Sequence, residues 1–197
     1  LGTSEEGNVT LYNRGGDITT SVSGQSVGIF AQSGQGNAVA INVSGSISAS
    51  SYDGYAVGLV ARADEGFSSI ANFGGGSITA YSAYGYAIGM LGTGDGVGAS
   101  NIGTIEASGY YLAAGIVAHS TNYTSVSTSD GSISAIAVGA AYGIDAQSVY
   151  GNVRVNSSNS IEAVGIVLGA RGIQATSGDD YVALGKRGDG YVSSLFD

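Results

Sequence analysis

Six times in 197 residues the chain returns to one short phrase, a small polar pair followed by isoleucine, at Ile18, Ile47, Ile78, Ile105, Ile133 and Ile161. The spacings are 29, 31, 27, 28 and 28 residues. A period of that size marks a stacked architecture in which each unit touches only the units before and after it. A second column falls about eleven residues later, as Gly28-Ile29, Gly58-Leu59, Gly89-Met90, Gly115-Ile116, Gly143-Ile144 and Gly172-Ile173. A third precedes each new phrase: Asn13, Asn42, Asn72, Asn101 and Asn156, with Thr128 where Asn is missing.

The apolar stretches between these markers are short and alternate with period two, which reads as strands rather than helices. The residue after each Ile is Thr19, Ser48, Thr79, Glu106, Ser134 or Glu162, always polar, so that column faces water while the Ile column faces in. Three strands per unit, with like residues recurring above one another, predict an all-β fold: a right-handed parallel β-helix of six to seven coils, each of about 28 residues. An isolated Gly within a strand resets the in-out phase, which explains the Gly column. Stacked Asn side chains can hydrogen-bond from coil to coil. The repeats are expected over residues 1–176, with an Asp/Gly-rich coil or transition segment over 177–197.

Composition narrows the function classes. Hydrophobic residues make up 43% of the chain, enough for a continuous core, while charged residues are 11% and the net charge is -9. No basic stripe exists to neutralise phosphates, so nucleic acid is not an expected partner. The absence of Cys removes disulfides and thiolate metal sites. The longest apolar run, 135–144, is about half of the ~20 residues a spanning helix needs, so no membrane insertion by this segment is expected. The opening LGTSEEGNVTLYN has neither an initiator Met nor a signal segment, and is read as part of something longer.

The units Gly-Ser-Ile-Ser-Ala, Gly-Tyr-Ala-Val-Gly-Leu-Val-Ala and Ile-Ala-Asn-Phe-Gly-Gly resemble the repetitive passenger regions of bacterial autotransporters and filamentous-haemagglutinin-like surface proteins, from Asn8 to about Ala175. The resemblance implies an exported, extracellular or cell-surface rod that serves as spacer or adhesin. Cell-surface glycans or a host surface are then the expected partners, and, since no cleft or cluster of acids is legible in the sequence, no catalysis is expected.

Pectin-lyase-like enzymes share the architecture, so a carbohydrate-binding or carbohydrate-active protein is the alternative, and Glu106 and Glu162 share a column two coils apart. His119, the only histidine, is expected at a surface turn with no neighbouring carboxylate. The Gly-rich stretches 92–98 and 73–77 lack the Lys and helix of a phosphate loop and are read as turns. The short C-terminal repeat Gly-Asp-Asp-Tyr-Val, then Gly-Asp-Gly-Tyr-Val, is similar to calcium-binding β-roll turns, which makes Asp179, Asp180 and Asp189 candidate calcium ligands.

Tyrosine is the informative excess. Tyr52, Tyr55, Tyr81, Tyr84, Tyr86, Tyr110 and Tyr111 fall between the Ile and Gly columns, and in register they gather along one corner where rings can meet sugars or a partner. Phe30, Val60, Leu91 and Val117 are expected to point outward as an apolar self-association strip, giving lateral packing between copies. Residues 8–15 read as the third strand of a coil lacking its first two, and 178–185 as a third strand at the other end, so head-to-tail filaments are expected as well.

Overall fold

The computed structural model describes residues 1–178, 181–186 and 192–194, and among these the chain is built of nineteen strands, β1 to β19 in chain order. All pairings are parallel, and the strands stack as a β-solenoid of about 6 turns with about 29 residues per turn. Each turn contributes one strand to each of three faces.

The first face holds the Ile phrases: β3 (Ile18–Val22), β6 (Ser46–Ser51), β9 (Ser77–Ser82), β11 (Thr104–Gly109), β13 (Ser132–Ala137), β16 (Ser160–Gly165) and β19 (Val192–Ser194). The second face holds β1 (Gly2–Ser4), β4 (Ser26–Ser33), β7 (Tyr55–Ala63), the first halves of β10 (Tyr86–Asn101) and β12 (Leu112–Thr128), then β14 (Ala140–Ser148) and β17 (Ala170–Ser177). The third holds β2 (Val9–Arg14), β5 (Ala38–Ser44), β8 (Phe67–Asn72), the second halves of β10 and β12, β15 (Val153–Ser157) and β18 (Val182–Lys186). Stacking thus continues past residue 176, since β18 pairs with β15 and β19 with β16.

The Ile column is in register from Ile18 through Ile161, and Ile47, Ile78, Ile105, Ile133 and Ile161 are at most 1% exposed. They join Leu59, Met90, Ile116 and Ile144 from the second face and Ile70, Val97, Val126, Val153 and Val155 from the third in one continuous core. A separate cluster made of alanine alone, including Ala49, Ala80, Ala107, Ala135 and Ala163 against Ala56, Ala87, Ala113 and Ala141, fills the corner between the first and second faces. Two walls meeting at an acute corner leave room for a methyl group and nothing larger.

The Gly column has a second cause beyond the phase reset. A Cβ on Gly58 would overlap Cγ2 of Ile78, and the same holds for Gly89 on Ile105, Gly115 on Ile133 and Gly143 on Ile161. Each glycine is therefore the socket for the isoleucine of the following coil, and neither column can change without the other.

The asparagine column forms a buried ladder. Asn13 Nδ2 donates to Asn42 Oδ1, Asn42 to Asn72 and Asn72 to Asn101, each at 2.9 Å. The same amides donate to the Gly16, Gly45, Gly76 and Gly103 carbonyls of the turns that follow. Asn156, expected to extend the ladder, does not: Ser157 pairs with Thr128 and Asn156 stands one position out. Past Asn101 the polar stack passes to hydroxyls, with Thr128 Oγ1 donating to Asn159 Oδ1 (2.8 Å) and lying 2.9 Å from Ser157 Oγ.

Two further expectations are corrected. The stretch 92–98 is not a turn but the middle of β10, which runs through the corner from second to third face with a register shift between Gly94 and Gly96. Small residues there let one strand bend without breaking. At the N-terminus, β1 pairs with β4, so the end of a second-face strand precedes the third-face β2.

Candidate functional site

The corner between the first and second faces is the most distinctive part of the surface. Its loops stack as regularly as strands: Tyr52 N donates to Val22 O (3.1 Å), Tyr84 N to Tyr52 O (2.9 Å), Tyr110 N to Gly85 O (3.0 Å), Gly139 N to Tyr110 O (2.7 Å) and Val167 N to Val138 O (2.9 Å). The alanine cluster beneath holds the turn sharp, so side chains on it have nowhere to go but out.

Six of the seven tyrosines expected at this corner are there, in two ladders. Tyr52 meets Tyr84 edge-on at 5.1 Å between ring centroids, and Tyr84 meets Tyr110 at 6.1 Å. Alongside, Tyr55 stacks on Tyr86 at 4.8 Å with 12° between planes, and Tyr86 meets Tyr111 at 5.8 Å. A T-shaped contact of 5.1 Å between Tyr110 and Tyr111 joins the two ladders. All six rings remain exposed, Tyr52 by 60% and Tyr111 by 55%. The Tyr52 hydroxyl is held above the usual phenol range, first by the charge and then by the hydrogen bonding of Tyr84, with desolvation and the Asp53 carboxylate adding.

Tyr81 is not in these ladders. It lies on β9, in register with Ser50 and Ser108, and faces out from the first face. There it lines an open hollow of about 390 Å³ with Glu106, Ser108, Ser134 and Ile136. The hollow exists because Ser108 is small while Tyr81 and Ile136, its register neighbours, are large. Glu106 and Glu162 do share a column, with Ser134 between them, and both are exposed.

The aromatic ladders are one end of a longer feature that tyrosine spacing alone did not disclose. The same corner carries Val22 before the rings, and Val138, Ile166, Val167 and Leu168 after them, all exposed. Tyrosine counting missed these because the shared property is position, not residue type. The coil-to-coil backbone bonds at this corner identify the positions.

Phe30, Val60, Leu91 and Val117 are in register on the second face and belong to neither core cluster. Yet Val60 is 5% and Val117 7% exposed, and Phe30 and Leu91 are half-buried. Val57 and Ile88 flank them on one side and Arg62, Thr93 and His119 on the other, so the strip is sheltered and offers little surface to a second copy.

His119 is likewise not at a turn without a carboxylate. It lies on β12 and its Nε2 is 2.9 Å from Asp145 Oδ2 of the next coil, while Gln147 Nε2 donates to both Asp145 oxygens. Twenty-six residues separate the pair in sequence, one coil less two positions, which is why no local motif announced it. With Arg62, Asp64, Thr93 and Ser120, His119 lines a shallow depression of about 480 Å³ that is open to solvent. The hydrogen bond orients the half-exposed imidazole, and among the described residues the depression beside it is open to solvent. Asp179, Asp180 and Asp189 lie outside the described residues, and among those described no three His, Cys, Asp or Glu side chains gather to hold a metal ion. No family model, no curated protein and no solved structure matches the chain.

Proposed function

We propose that the chain is a non-catalytic structural and adhesive β-solenoid that works at the bacterial cell surface or outside the cell, a rod whose tyrosine-bearing corner is the contact surface. The observation that carries this reading is the exposed ridge of rings and aliphatic side chains along one corner of a rigid scaffold. Exposed apolar surface of that extent is unusual unless it is used. Rings with an apolar body and a polar tip suit contacts with wet surfaces. Low charge and the absence of cysteine fit an extracellular setting.

The test is adhesion under flow of beads coated with the wild-type protein or with the Tyr52→Ser, Tyr84→Ser, Tyr110→Ser triple variant, on cultured cells and on matrix-coated glass. The rings sit outside the core, so the variant keeps its fold by circular dichroism and loses adhesion. Equal adhesion of the two proteins refutes the reading. Carbohydrate binding is the second reading, favoured by the hollow in which Tyr81 stands beside the Glu106 carboxylate and the Ser108 and Ser134 hydroxyls. Isothermal titration with neutral oligosaccharides, repeated on Tyr81→Ala, decides it.

A further inference from the structure

We infer that the aliphatic end of the corner ridge, Ile166, Val167 and Leu168, inserts into the interface of a zwitterionic lipid bilayer, with the tyrosine ladders lying along the headgroup level. The inference deepens the reading of this corner as the contact surface and rests on it.

Three observations point to a lipid surface. The first is exposure in sequence: Ile166, Val167 and Leu168 are 62%, 68% and 74% exposed, three consecutive aliphatic side chains displayed at a convex edge. Sugars offer such side chains little, and a protein partner would need a groove cut to fit them, whereas a fluid bilayer closes around a convex apolar tip without a preformed site.

The second is the backbone. A loop entering a medium without water must keep its polar groups paired. Ile166 N donates to Ala137 O at 3.2 Å, Val167 N to Val138 O at 2.9 Å and Leu168 N to Gly139 O at 3.4 Å, so all three N–H groups are already bonded to the preceding coil. The three N–H groups therefore keep their partners as the loop enters the interface, where the carbonyl oxygens remain within reach of headgroup water.

The third is charge and what lies beside the tip. Residues 163–170 carry no charged side chain, and Arg171, the first that follows, is exposed and bonded to Gln174. Val22, Tyr52, Tyr84, Tyr110, Val138 and Val167 mark six successive levels of the ridge, five steps of about 4.8 Å or roughly 24 Å in all. Tyrosine, with tryptophan, is enriched at membrane–water interfaces. The net charge of -9 opposes anionic lipid, which selects zwitterionic headgroups. Contact of this kind is interfacial and differs from spanning; among the described residues no helix is long and apolar enough to cross a membrane.

The chain contains no tryptophan, so a single introduced one reports its own surroundings. Val167→Trp is compared with Tyr123→Trp, an exposed site on the third face, each titrated with phosphatidylcholine vesicles and with vesicles carrying brominated acyl chains. The expected result is a blue shift and bromine quenching for Val167→Trp and neither for Tyr123→Trp. Wild-type protein co-sediments with the same vesicles, Val167→Asp binds about tenfold more weakly or worse, and phosphatidylserine weakens binding further. An unchanged Val167→Trp spectrum, or equal shifts at both sites, overturns the inference. So does a Val167→Trp shift that depends on protein concentration without lipid, which would assign the tip to a second copy. Loss of flow adhesion in the tyrosine triple variant alongside absent vesicle binding would leave the contact surface standing and refute only its lipid partner.

Discussion

Gly89→Ala adds one methyl group at a closely packed contact between two coils. That methyl would overlap Cγ2 of Ile105 and stand 2.6 Å from the carbonyl oxygen of Gly115, while Ile105 itself is fully buried. Relief requires Ile105 to leave its rotamer and β10 to move away from β12, against the backbone bonds that set the coil spacing. Overpacking costs about 1–3 kcal/mol and more where backbone must shift, so a loss of about 3 kcal/mol is expected. For a chain of this length that lowers the melting temperature by roughly 6–12 °C. Ile105→Ala alone costs about 2–5 kcal/mol as a cavity variant. The double variant removes one of the two overlaps, so its loss falls short of the sum by about 1 kcal/mol or more. Urea unfolding followed by far-ultraviolet circular dichroism reads all three. A Gly89→Ala loss below about half a kcal/mol, or strict additivity, would refute the socket between coils.

Three further outcomes follow from particular side chains. Asn72→Ala unpicks the middle of a buried ladder and should cost about 1–3 kcal/mol, while Asn156→Ala, one position outside it, should change stability by less than about 0.5 kcal/mol in the same urea titration. Tyr52 should ionise at higher pH than an ordinary phenol because Tyr84 and Asp53 disfavour its charged form; in an absorbance titration at alkaline pH, Tyr84→Phe brings it back down. His119→Ala and Asp145→Ala should couple by about 0.2–1 kcal/mol in a double-mutant cycle, since the imidazole is half-exposed and can turn to water; a coupling above about 2 kcal/mol would mark the pair as fully sheltered.

What the sequence disclosed follows the geometry of the fold. In a parallel solenoid a residue's neighbours in space are its counterparts one period away, so any position packed against its own copies must repeat. Ile47, Ile78 and Ile105 repeat because each fills the same slot, and Gly58 and Gly89 because each must accept the Ile of the next coil. The error at Asn156 shows the limit of that reasoning. Residue identity locates a column only while the same chemistry fills it, and past Asn101 the hydroxyls of Thr128 and Ser157 do the work of the amide. The bend within β10 escaped for a related reason, because glycines that let a strand turn look the same in sequence as glycines that end one.

Surface sites obey no such rule, since a side chain in water need not match the one above it. Asp145 can approach His119 although neither residue recurs in its column, where Val117 and Gln147 take the corresponding places. The corner ridge is the instructive middle case. Its backbone repeats, because the alanine cluster beneath demands the same tight turn in every coil, but its side chains pass from tyrosine to aliphatic between Tyr111 and Val138. What persists from Tyr52 to Leu168 is a convex edge on which the turn forces side chains outward and on which apolar groups are nonetheless placed. Hydration disfavours that choice at every level, and the ring contacts offset it only where tyrosines stack. Apolar groups kept at that edge through a change of residue type support the proposed role of the corner as a contact surface.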